Sequence, residues 1–179
     1  SKLEKEVFMK RLFVAVLWCM TGILFANAQK FALIDMEYIM ENIPAYQDAN
    51  KQLNALSQQY QKAVENKAKE AETLYQAYQK ASSKLSDAQR TQKEEAIVAK
   101  EREAAELRNK YFGPEGEMVK KQEELINPIQ DQIYEAVKQI SLQKGYDAVI
   151  DRASATSIIF ASPRIDISNE VLSKLGYSN

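Results

Sequence analysis

Between Ala45 and Lys144 the chain has room for two long helices folded back on each other, and for little else. No Gly or Pro interrupts the first run, from Ala45 to about Ser83. A helix of that length spans roughly 58 Å. The second runs from about Asp87 to Lys144. Two such helices cannot enclose a globular interior, so they must project as an arm. What remains, one strand before the arm and two strands and a helix after it, must make a small base. The expected fold class is α+β, a long antiparallel helical hairpin projecting from a small β base. Residues 45–128 are the expected arm and residues 29–44 with 129–179 the expected base, while residues 1–28 are assigned to upstream residues and a leader.

The arm's seam is visible residue by residue. Ala49, Leu53, Leu56, Tyr60, Val64, Ala68, Ala71, Tyr75 and Tyr78 recur at steps of three or four, with charged and Gln residues on the other faces. That is the pattern of a helix packed against one partner helix. The mean step is about 3.6, so strong supercoiling is not expected. The return seam is thinner: Ile97, Ala104, Leu107 and Tyr111, then Met118, Leu125, Ile129, Ile133, Ala136 and Ile140, with Lys93 and Lys100 in seam phase between them. A seam of Ala, Tyr and Lys stems packs weakly, and the distal arm is expected to be flexible.

The turn at the tip is placed at Ser82–Leu85, with Ser86 as N-cap and Gln89 completing a capping box. Gly113 and Pro114 interrupt the return helix, yet Leu107, Tyr111 and Met118 hold the seam's phase across them. The expectation is a kink or short bulge, not a full break, low on the arm opposite residues 54–58, with Gly113 and Pro114 as hinge candidates. Pro128 is a second candidate kink.

Histidine is absent from the whole chain, which removes the commonest general base and metal ligand together. Ser-His and Cys-His nucleophilic sites are excluded. Asp147 and Asp151 flank a short strand, where Asp is an ordinary turn residue, so they are read as structural rather than as a catalytic pair. Gly113-Pro114-Glu115-Gly116 lacks the Lys-Ser/Thr of a phosphate loop. An enzyme is not expected, nor a cofactor or metal site.

Met9-Lys10-Arg11, the mostly apolar run Leu12–Phe25 and Ala26-Asn27-Ala28 have the order of a cleavable secretory leader, with Gln29 as the new N-terminus. Residues 1–8 lie upstream of a plausible start at Met9. Cys19 is preceded by bulky Trp18, which does not suit a lipid-attachment site. Removing residues 1–28 takes four basic and two acidic side chains from the 24 and 25 of the whole chain, which leaves a net charge of about −3 and no cysteine. The expected location is the periplasm, without disulfides. This charge gives no footing for nucleic-acid binding.

In the base, Phe31–Asp35 reads as a strand, while Asp147–Asp151 and Thr156–Phe160 read as a hairpin joined by Arg152–Ala155. Asp166 is the expected N-cap of a closing helix through Leu175 and Gly176. So few strand residues cannot bury a core of their own. Phe31, Leu33, Ile34, Val149, Ile150, Ile158 and Phe160 are therefore expected to pair between copies in a shared sheet or barrel.

Three blocks in order carry a resemblance across the whole mature chain: Lys30-Phe31-Ala32-Leu33-Ile34-Asp35, then Gly145-Tyr146-Asp147-Ala148-Val149-Ile150-Asp151 after a charged helical hairpin, then Asp166-Ile167-Ser168-Asn169-Glu170-Val171-Leu172. The chain resembles the Skp (OmpH-like) periplasmic chaperones. That resemblance implies a homotrimer whose strands form a central barrel. Its three arms would surround a cavity that holds unfolded outer-membrane β-barrel proteins without ATP. Tyr60, Tyr75, Tyr78 and Tyr111 are the candidate client contacts, with apolar faces and polar tips; packing within the hairpin competes for each of them. Better-known members are markedly basic and this mature chain is slightly acidic, so the family's lipopolysaccharide-binding positions are not carried over. Only Lys80, Lys84, Arg90 and Lys93 at the tip, opposed between residues 79 and 93 by Asp87 alone, offer weak contact with lipid headgroups or lipopolysaccharide. The rival reading is a structural hairpin adaptor that binds one folded envelope partner.

Overall fold

The computed structural model describes residues 29–177, so the expected leader lies outside the described residues. Strand β1 (Phe31–Ile34) passes through Asp35 into a short helix, α1 (Met36–Glu41). Asp35 caps it, accepting the Tyr38 N–H at 2.9 Å. The sequence reading has no helix here, because one and a half turns carry too little periodicity to register.

Helix α2 (Pro44–Ala81) begins on a proline, tolerated in the first turn because that N–H has no helical partner anyway. It runs unbroken for 38 residues. A 3-10 turn at Ser82–Lys84 reverses the chain. Helix α3 (Asp87–Phe112) then starts on the expected capping box. Ser86 Oγ accepts the Gln89 N–H at 3.3 Å, and the Gln89 side chain accepts the Ser86 N–H at 3.0 Å.

The return limb departs from expectation. It is two helices, α3 and α4 (Glu117–Lys144), with a full break at Gly113–Gly116 in place of a kink. The Gly113 N–H closes α3 on the Asn109 carbonyl at 2.8 Å, and the Gly116 N–H folds back on the Gly113 carbonyl at 2.9 Å. Both glycines have ordinary backbone angles. What they supply is space: a Cβ on Gly113 would meet the Asn109 carbonyl oxygen at 2.4 Å, and one on Gly116 the Tyr111 carbonyl oxygen at 2.8 Å. Pro128, by contrast, sits inside α4, which continues through it.

Gly145 ends α4 in the left-handed conformation, φ 68°, which a glycine adopts without a Cβ penalty. Strand β2 (Ala148–Asp151) follows and pairs with β1 in parallel, from Phe31 with Ala148 to Ile34 with Asp151. The expected hairpin of Asp147–Asp151 with Thr156–Phe160 is not formed, and no strand occupies residues 156–160. Asp151 turns the chain away instead, its carboxylate accepting the N–H groups of Met36 at 3.1 Å and Ala153 at 3.0 Å. The partner of β2 is thus a strand more than a hundred residues earlier, and the arm is the crossover that parallel pairing requires. A 3-10 turn (Pro163–Ile165) leads to α5 (Ser168–Lys174). α5 begins after Ile167 and not after Asp166, because Asp166 bridges to Leu33 beside β1 and its carboxylate accepts from both the N–H and the hydroxyl of Ser168.

One core forms in the base. Ala32 and Ile34 of β1, Ile39 and Ile43 around α1, Ile129, Ile133, Ala136 and Ile140 of α4, and Ile167, Val171 and Leu172 at α5 pack together. A single chain thus buries its base core through helices on the strand pair, before any second copy is added.

Candidate functional site

Along the distal arm the buried residues are few: Val64 and Ala71 from α2, Ile97 and Ala104 from α3. Charge sets the register where apolar packing is thin. Lys100 reaches Glu70 across the hairpin at 3.4 Å and Glu103 on its own helix at 2.9 Å, while Lys67 lies 3.4 Å from both Glu70 and Glu103. Hydrogen bonds from Lys67 and Lys100 hold the Glu70 carboxyl below its usual range, and those from Lys100 and Lys67 do the same for Glu103. The hydrogen bonds to Glu103 and Glu70 push Lys100 up. All four are solvated, and exposed pairs of this kind contribute little to stability because water and salt screen them. Lys100 in seam phase is therefore a paired cation and not a flaw in the packing.

The four candidate tyrosines fall into different settings. Tyr60 lies flat on Tyr111, ring centroids 3.9 Å apart and planes 4° from parallel. Its hydroxyl donates to Glu117 Oε2 at 2.7 Å. That hydrogen bond first, then burial and the nearby charge of Glu117, push the Tyr60 phenol up to about 12, while Glu117 is held low chiefly by the same bond. Tyr78 donates to Glu94, which raises its own phenol. Tyr75 alone keeps half its surface open, at 48%. It borders a groove of about 480 Å³ between α2 and α3, floored by Ala68, Ala71, Ala104 and Ala105 and edged by Glu72, Glu101 and Arg108. On the arm's other face Leu74, also exposed, borders a second hollow with Thr73, Lys69 and Lys100.

At the tip Lys80, Lys84, Arg90 and Lys93 are all exposed, and none makes an ion pair among the described residues. Asp87, the one acidic residue between positions 79 and 93, sits in the first turn of α3, where its charge favours the helix N-terminus.

In the base the expected inter-copy residues divide. Leu33 and Ile34 lie in this chain's own interior, and Val149 and Ile158 are half-buried. Phe31, Ile150 and Phe160 are exposed, Phe160 at 84%, and Ile159 beside it at 102%. Asp147 and Asp151 make hydrogen bonds within the base: Asp147 accepts the Lys30 N–H at 2.8 Å, and Asp151 organises the turn after β2. Burial works to raise the Asp151 carboxyl, but hydrogen bonds from Met36, Ser154 and Ala153 together bring it below its usual range. Sequence reasoning missed the clasp around Arg152, which lies 3.1 Å from Asp35 and 3.4 Å from Asp166 and ties the two ends of the base together. It also missed the Tyr60–Tyr111 pairing, whose only signal is that both residues hold seam positions on facing helices.

The family profile for outer membrane proteins of the OmpH-like type matches residues 30–175. The chain belongs to the OmpH-like family. Among relatives, the chaperone protein Skp of Yersinia enterocolitica is 28% identical over 149 residues, covering 83% of this chain and 87% of its own. The Skp of Pectobacterium atrosepticum is 25% identical over 148 residues, covering 83% and 86%. A solved OmpH-like protein from Caulobacter crescentus superposes with a TM-score of 0.64 over 83% of this chain and 85% of its own, at 11% identity, a likeness of fold alone. The match of this OmpH-like chain thus runs from β1 to α5, through both base and arm.

Proposed function

We propose that this OmpH-like chain is an ATP-independent periplasmic holdase that keeps unfolded outer-membrane β-barrel proteins from aggregating, with no catalytic step. The observation that carries the reading is the arm. Its distal faces offer a shallow alanine groove, a second hollow beside Leu74, a half-open Tyr75 and scattered charge, spread along two helices instead of gathered at one point. A holder of many clients needs weak, adaptable contacts of this kind, so that each client can leave. The Skp chaperones to which the chain is similar along most of its length support the same reading.

The working unit is a homotrimer. Phe31, Ile150, Ile159 and Phe160 expose apolar surface on the base beside a two-stranded sheet, and strand edges left open invite pairing with another chain. Residues 156–160, which find no strand partner within one chain, would add to the sheet of a neighbour. Client would lie between arms, touching Tyr75 first and Tyr60, Tyr78 and Tyr111 only at their edges. Lys80, Lys84, Arg90 and Lys93 would add weak contact with lipid headgroups or lipopolysaccharide.

The test dilutes a urea-unfolded outer-membrane barrel into ATP-free buffer and follows light scattering against concentration of the chain from Gln29 onward. Suppression saturating near one trimer per client is the expected result. Undiminished scattering from a folded oligomer would favour an adaptor for a folded partner. Ile150→Asp or Phe160→Asp should dissociate the trimer and abolish holding together; a monomer that still holds client would separate the two.

A further inference from the structure

The return limb of the arm is cut at Gly113–Gly116, yet α2 passes the cut without interruption. A cut in one of two paired helices acts as a hinge only when nothing ties its loose ends to the other helix. Tyr60 of α2 ties both. Its ring stacks on Tyr111 at 3.9 Å and meets Phe112 edge-on at 6.4 Å and 85°, so it holds the last two residues of α3. Its hydroxyl donates to Glu117, the first residue of α4. Lys110 closes the cluster from outside, 3.4 Å from Glu117 and 5.6 Å from the centre of the Tyr111 ring. The turn itself is packed so tightly that neither glycine has room for a Cβ.

Above this point the hairpin has no comparable joint. Its buried residues are Val64, Ala71, Ile97 and Ala104, and its cross-helix links there are solvated ion pairs and the Tyr78–Glu94 bond. Stacked aromatic rings attract each other beyond the area they bury, and a hydrogen bond to a charged acceptor is stronger than one between neutral groups. Alanine contacts and exposed ion pairs give less per residue.

We propose that Tyr60 is the pin of a stiff elbow: the arm from the base up to the Tyr60–Tyr111 stack moves as one body, and its mobility begins above that stack rather than at Gly113–Pro114. Tyr60 is then a positioning residue, acting through α3 and α4 on the angle at which the distal arm leaves the base. The elbow stands on geometry alone; that it limits how far the arms spread around a client rests on the holdase reading.

Hydrogen exchange read by mass spectrometry on the full chain tests it. In the wild type, amides of residues 107–112 and 120–124 should exchange about tenfold more slowly than those of residues 70–79 and 93–100. Tyr60→Ala should abolish that difference and leave residues 129–140 unchanged, and Tyr60→Phe, which keeps the ring, should abolish part of it. Tyr75→Ala, at an exposed position, should leave residues 107–124 as they were. Equal exchange above and below the stack in the wild type would overturn the proposal, as would Tyr60→Ala without effect. Should Tyr60→Ala strip protection from the whole arm, Tyr60→Phe decides: a rise confined to residues 107–124 supports the pin, and no rise overturns it. None of these readouts involves client, so a failed scattering assay leaves the elbow standing, and the reverse.

Discussion

Where α4 enters the base it buries Ile129, Ile133, Ala136 and Ile140, whereas α3, a helix of similar length, buries only Ile97 and Ala104. Both are paired with other helices, and both follow the same three-and-four spacing. The difference lies in what occupies the seam. A fully buried Ile or Val contributes roughly 1.5–3 kcal/mol, and Ile39, Ile133, Ile140 and Val171 are all fully enclosed in the base. The distal arm instead sets its register with Lys67, Glu70, Lys100 and Glu103. One chain therefore has a cohesive end and a yielding end. Such a division suits a protein whose assembly is fixed at one end while the other adapts to what it touches.

Core truncation is the strongest way to break this comparison. Ile133→Ala should cost about 2–5 kcal/mol and lower the melting temperature of base and arm together. Ile97→Ala should barely move the main transition and should appear as faster amide exchange in residues 90–105. An equal fall in melting temperature for both would mean that the arm is as cohesive as the base. Next in size comes Gly113→Ala. Its Cβ would force apart α3's last turn, an overpacking cost of about 1–3 kcal/mol, which thermal melts by circular dichroism would register. A neutral result would show that the turn relaxes freely.

A cap at the far end sharpens the contrast further. Ser86→Ala removes one half of the capping box and should cost about 1 kcal/mol, seen as fraying near residues 86–92 with the base transition unmoved. The smallest effect is electrostatic. Glu70, Glu103 and Glu117 have folded carboxyls held below their ordinary values. Their contribution is therefore present above the unfolded value and is lost as pH falls through the folded one. Lys100, raised in the folded chain, runs the other way: its contribution is present below the unfolded value and lost as pH rises through the folded one. Among the described residues the base has one carboxyl held low in this way, Asp151, against three in the arm, so an acid titration at low salt should loosen the arm's helical signal before that of the base. Added salt should narrow the gap, because these groups are exposed. A base that loosens first would reverse the assignment.

How much of this was legible beforehand follows the range of each interaction. Ser86 and Gln89 announced the start of α3, and the capping box formed as read, because a cap involves residues three apart. The seam positions of α4 are legible for the same reason, and so are those of α2 except Ala68 and Tyr75, which are exposed. The break in the return limb at Gly113–Gly116 is not legible in the sequence: Leu107, Tyr111 and Met118 keep phase across it, and phase alone does not reveal a turn whose glycines are demanded by close backbone approach. The hairpin expected of Asp147–Asp151 and Thr156–Phe160 failed because proximity in sequence favoured it, while the β1 edge and the Asp151 side chain drew the chain elsewhere. The candidate tyrosines illustrate the same limit. Nothing in their spacing separates Tyr60, stacked and hydrogen-bonded, from Tyr75, half open beside an alanine groove.

The sequence by itself determined the long hairpin, its tip, its thin distal seam and the exclusion of histidine-based catalysis. Each follows from composition or from residues within a few positions of one another, where helical geometry is set. Only the tertiary structure decided that β2 lies parallel to β1, that Arg152 clasps Asp35 and Asp166, and that Tyr60 spans the break in the return limb. Those pairs join residues some 14 to 117 positions apart. No local preference encodes them; they form because the whole chain must bury its isoleucines and satisfy its polar groups at once.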